Sequence, residues 1–168
     1  MRRALALIAI VVTAILLQST IFGQIKLLGV KPELLYLVTI VLAIIEGPRE
    51  GMIFGFFAGM SEDFFLNQPK GATALTLTLL GYTVGLARQY IVSPSPLLPT
   101  MLVALGTFCA VCVYQLVRFL LGNLDLRTVE FFRISLLTAA YDTLLTPLAY
   151  PLLRRVFEES RPRRVVRF

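Results

Sequence analysis

Apolar residues along this chain do not alternate as in a strand, nor mark one face as in a surface helix. They come in long blocks separated by short clusters of charge, glycine and proline. About 20 such residues wound as a helix cross the ~30 Å hydrocarbon layer of a bilayer. Six blocks are read, at about residues 4–22, 32–45, 51–66, 72–88, 97–121 and 131–157, with a basic tail at 158–168. The expected class is an all-α integral membrane protein, a six-transmembrane-helix bundle in one domain.

The blocks differ in what they must do. The first follows Arg2 and Arg3. It exceeds the ~7–15 apolar residues of a secretory signal and shows no small-x-small cleavage pattern, so it is expected to remain as a span. The second is opened by Pro32 and Glu33 but is strictly apolar only from Leu34 to Ile45. That is ~18 Å of helix, so it must recruit residues 30–33 or be sheltered by neighbours. The third carries Gly51, Gly55 and Gly59, and the fourth Gly81 and Gly85. Small residues at every fourth position let helix backbones approach closely in a membrane, and packing within the protein is preferred here to a homodimer face. Ser93-Pro94-Ser95-Pro96 is expected to be an extended linker, and Pro147 with Pro151 to kink or break the sixth helix.

Composition narrows the class. The chain is 57% hydrophobic and 15% charged, with mean hydropathy +0.81. Soluble domains have roughly 45–50% apolar and 25% charged residues. The net charge of +6 does not point to nucleic acid, because Lys and Arg lie between blocks and at the ends, without a stripe of interleaved aromatics. In the six-span reading, ten of them share the side of the termini (Arg2, Arg3, Arg49, Arg88 and six near the C-terminus). The other side has five, Lys26, Lys31, Lys70, Arg127 and Arg133, which places both termini in the cytoplasm. Cys109 and Cys112 have no histidine or second pair to join them, so they read as small apolar residues one helical turn apart. No cofactor or metal is expected.

Four charged residues, Glu62, Asp63, Arg118 and Asp142, fall inside apolar blocks. At ~2.5–3.5 kcal/mol or more each at mid-helix, they must face the bundle or a wet cavity. Helix rise puts Asp63 ~12 Å below the outer surface, Arg118 ~5 Å and Asp142 ~16 Å, which pairs Arg118 with Asp63 or Glu62. The preferred role for the cluster is fixing helix register, ahead of a proton or substrate path. Adjacent acids point ~100° apart on a helix and make no hydrolytic pair. With no histidine, Gly-x-Ser-x-Gly elbow or phosphate loop, no enzyme is expected.

Several stretches resemble the MreD family of rod shape-determining proteins. They are Lys31-Pro32-Glu33-Leu34-Leu35, the run Gly55-Phe56-Phe57-Ala58-Gly59-Met60-Ser61-Glu62-Asp63, Gly71-Ala72-Thr73-Ala74-Leu75 with Gly81-Tyr82, and Asp142 followed by Pro147. The resemblance extends over nearly the whole chain in length and span order. It implies a non-catalytic bacterial inner-membrane component of the cell-elongation machinery that supports lateral peptidoglycan synthesis. The implied partner is the single-span periplasmic protein MreC, and through it MreB filaments and RodA with its transpeptidase. The implied fold is similar to the six-helix substrate-binding subunit of energy-coupling-factor transporters. That likeness supplies the alternative, a vitamin-binding subunit with Glu62, Asp63, Arg118 and Asn123 near an outer pocket. The chain has no tryptophan and few polar residues in its outer halves to build such a pocket, so the scaffold is preferred, with grooves between glycine-lined helices holding partner spans.

Overall fold

The computed structural model describes residues 2–20, 33–65, 71–90, 97–122 and 128–159. Among these residues the protein is all helical, with six helices and no strand. In chain order they are α1 (Arg2–Thr20), α2 (Leu34–Glu46), α3 (Pro48–Phe65), α4 (Ala72–Tyr90), α5 (Leu98–Leu120) and α6 (Thr128–Glu159). Lys31, Pro32, the linker Ser93-Pro94-Ser95-Pro96, Asn123 and residues 160–168 of the tail lie outside the described residues.

α2 is the centre of the bundle. Every residue from Leu35 to Ile45 is buried, and the helix packs on all five others. A helix that is apolar on every side belongs in an interior, because no face of it gains from contact with a polar surround. This explains its length. At 13 residues it is ~20 Å long, and since its neighbours sheathe it, it need not match the thickness of a bilayer. It stops at Gly47, which has φ 100° and turns the chain directly into Pro48 at the start of α3.

α3 and α4 form the tightest pair, and glycines make it possible. A Cβ on Gly55 or Gly81 would collide with the backbone of Leu77 or Gly51 respectively. A Cβ on Gly59 would lie 2.6 Å from the Ala74 Cα, and one on Gly85 would strike Pro48. Both glycine faces are therefore consumed inside the protein.

α5 and α6 form the second close pair, with Thr107 against Asp142 and both Cys112 and Gln115 against Ser135, and the buried positions of α6 include Ser135, Thr138, Ala139, Asp142 and Thr146. The inner stripe of α6 is thus largely polar. Of the kink or break to which the sequence pointed at Pro147 and Pro151, the break does not occur, and the helix continues past both. Each proline removes one backbone donor, which costs a single internal bond and need not end a 32-residue helix anchored on either side.

By length and composition α5 is the described helix able on its own to cross a membrane, while Leu7–Thr20 and Leu34–Glu46 are apolar but shorter. α3 and α6 carry internal charges, and α4 is diluted by threonine and glycine, which lowers their mean hydropathy.

Candidate functional site

Glu62, Asp63 and Asp142 are 4%, 1% and 0% exposed, so each must be satisfied by protein groups. Two of them are engaged by helix starts, where the first N–H groups have no partner within their own helix. Asp63, in the last turn of α3, accepts from the N–H groups of Gly71 at 2.8 Å and of Thr73 and Ala74 at 3.3 Å, capping α4. Asp142, on α6, accepts the Glu33 N–H at 3.1 Å through Oδ1 and the Thr107 hydroxyl at 3.2 Å through Oδ2. Glu33 is the residue before α2 and makes no side-chain cap of its own. Thr107 and Asp142 lie near the middles of α5 and α6, so α2 begins deep within the bundle.

The opposite end of α2 meets a positive group. Arg88 of α4 donates from Nη1 to the Ile45 carbonyl at 3.1 Å. The central helix thus has an acid at its N-terminus and an arginine at its C-terminus, both matched to the helix dipole and both supplied by other helices.

Arg118 has a different neighbour from the one that helix rise suggested for it. Its guanidinium lies 5.9 Å from the centre of the Tyr114 ring on its own helix, and its Nε is enclosed without a hydrogen-bond partner. The expected pairing with Asp63 or Glu62 is corrected. Asp63 instead turns to the amide groups that open α4, which arrive as a preset cluster of three donors. Glu62 turns the other way and accepts from Gln18 Nε2 at 2.9 Å. The structure therefore does not gather Glu62, Asp63, Arg118 and Asp142 into one mutually paired cluster.

Sequence reasoning passed over the residue that joins these elements. Gln18, 1% exposed on α1, donates from the same Nε2 to the Glu33 carboxyl as well as to Glu62, tying α1 to the start of α2 and the end of α3. A smaller polar contact joins α5 to α6, where Gln115 donates to Ser135 Oγ at 3.0 Å and Cys112 lies 3.6 Å from the same oxygen. Both cysteines are free, and no group of metal-ligating side chains occurs among the described residues. These hydrogen bonds tie neighbouring helices to one another.

The open surface lies elsewhere. An apolar groove of about 430 Å³ runs between α1 and α3, walled by Leu7, Ile8, Val11, Val12 and Ile15 on one side and Ile53, Phe54, Phe57 and Phe65 on the other. Leu42 of α2 contributes to its lining, together with Glu50 and Ser61 of α3. From Glu50 to Phe65 it follows α3 for ~22 Å.

The family model for the rod shape-determining protein MreD matches residues 1–156 of the chain. No curated protein and no solved structure matches the chain.

Proposed function

Because the chain belongs to the MreD family, we propose that it is a non-catalytic membrane scaffold of the bacterial cell-elongation machinery, binding MreC and thereby supporting lateral peptidoglycan synthesis. Membership makes it a membrane-associated structural protein with a role in determining rod shape. The observation that carries the proposal is the extent of the match, residues 1–156 of a 168-residue chain.

In this reading all six helices cross the inner membrane and both termini are cytoplasmic. Supporting it, the acids that would be costly in hydrocarbon are folded inward, Asp63 and Asp142 onto helix starts and Glu62 onto Gln18, and the outward faces are apolar, with Phe57, Leu105, Leu144 and Leu148 among the exposed side chains. The end of the bundle holding Gly47 and Arg88 is then cytoplasmic, and the end holding Gly71 is periplasmic.

Partner spans cannot use the glycine faces, since α3 and α4 already occupy them. We assign the MreC span to the groove between α1 and α3 instead. Both of its walls are helical stripes at three- and four-residue spacing, the pattern into which ridges of a further helix pack. Contact with MreB and with RodA and its transpeptidase is then indirect.

Deleting the coding sequence should convert rods to spheres, and the protein expressed in trans should restore them while copurifying with MreC. Cells that keep their shape but lose uptake of one vitamin would favour the transporter-subunit alternative.

A further inference from the structure

The groove between α1 and α3 is apolar along its walls, and two of its lining residues are polar, Glu50 and Ser61. Ser61 donates its hydroxyl to the Phe57 carbonyl at 2.8 Å, one turn back in its own helix, so it makes no polar demand on an occupant. Glu50 is the charged one. It stands half-buried in the first turn of α3, just past the turn at Gly47 that is read as cytoplasmic. From there the groove follows α3 for ~22 Å to Phe65 with no further charge in its lining.

A helix seated in this groove meets apolar walls along its length and one carboxylate at its cytoplasmic end. A single span keeps Lys or Arg at its cytoplasmic flank, because the positive-inside bias acts on residues close to the ends of a span. The two patterns are complementary, an acid at the mouth of the groove and a cation at the same depth on the entering helix. Elsewhere at this end the field has the other sign. Arg88 on α4 and Arg155 on α6 are exposed and would repel a basic flank laid against those helices.

We propose that Glu50 is the recognition residue of the groove, pairing with a Lys or Arg at the cytoplasmic flank of the partner span and so fixing the depth and direction in which that span seats. This deepens the reading of the groove as the seat of the MreC span and rests on that reading. Charges at the edge of an interface act on the choice and placement of a partner more than on total affinity.

The test is photo-activated cross-linking in living cells from position Phe57 of the full-length protein, read as MreC adduct per amount of protein in the membrane. Glu50→Gln should lower the yield about two- to fivefold and Glu50→Lys by more, the scale of one exposed ion pair lost and then reversed. Glu50→Gln, nearly isosteric, serves if Glu50→Lys does not reach the membrane. Gln89→Lys makes the same change in net charge as Glu50→Gln, at an exposed site on α4 outside the groove, and should leave the yield as it is. Changing the partner's basic flank residue to Glu should lower the yield with the unaltered protein and restore it with Glu50→Lys. An acid that merely favours the start of α3 through the helix dipole would give no such exchange. A yield indifferent to the Glu50 substitutions, lowered as much by Gln89→Lys, or not restored by the exchanged charges overturns the pairing and leaves the groove as the seat. Absence of any adduct from Phe57 in the unaltered protein overturns the groove reading, and the pairing with it.

Discussion

The Asp63 carboxylate and the backbone N–H of Gly71 lie 2.8 Å apart, which commits this buried acid to the start of α4 and not to an arginine. Asp63→Ala leaves the Gly71, Thr73 and Ala74 amides without their acceptor. Loss of a helix cap costs about 0.5–2 kcal/mol, and the buried position puts the expected loss at the upper end or beyond. Asp63→Asn, which keeps one carbonyl oxygen, should fall between. Arg118→Gln should be milder than Asp63→Ala, as should Glu46→Ala. Thermal stability of detergent-extracted protein by size-exclusion checks the order, and an Arg118 variant as damaging as Asp63→Ala would restore the ion pair.

Substituting the interior glycines should separate backbone contact from side-chain contact. Gly55→Ala drives a methyl group into the Leu77 carbonyl, which belongs to a helix and cannot yield locally. Gly106→Ala meets the Ile40 Cδ1 at 3.1 Å, a side-chain end that can turn aside. The first should lower stability by about 1–3 kcal/mol or more and the second by less. Equal stability of the two in a thermal ramp would mean that α3 and α4 are not as close as described.

Much of this architecture was legible in the blocks of the sequence, for physical reasons that also set the limits. The glycines of α3 and α4 announced a close approach because their spacing is a local property, and they fell inside the protein as preferred. The shortness of the second block pointed to recruitment of residues 30–33 or to shelter by neighbours, and α2 is sheltered. Arg118 was misplaced because helix rise gives depth but not azimuth. Depth also ignores competitors, and the amides opening α4 are nearer claimants for Asp63. Gln18 was passed over because a lone amide in an apolar run signals nothing until Glu33 and Glu62 are brought to it from 15 and 44 residues away.

The two ends of α2 offer a matched pair of substitutions. Asp142→Leu should be severely destabilising, since it strands the Glu33 N–H and the Thr107 hydroxyl in the interior, at about 1–3 kcal/mol for each orphaned group. Thr107→Val removes one donor and keeps the acid's other bond, so a loss of about 1 kcal/mol is expected. Arg88→Met at the other end should cost about 0.3–1 kcal/mol, the worth of a cation at a helix C-terminus. Urea or thermal midpoints in one detergent give the ranking, and Arg88→Met exceeding Asp142→Leu would reverse the weight placed on the two ends.

The scaffold account stands or falls on where the partner helix sits. A photo-activated cross-linking amino acid placed in living cells at Phe57 or Val12, in the groove, and at Leu148 or Leu144, on the exposed face of α6, measures this directly. Adducts with MreC should form from Phe57 and Val12 and be absent from Leu148 and Leu144. Adducts from the α6 positions with none from the groove would contradict the account.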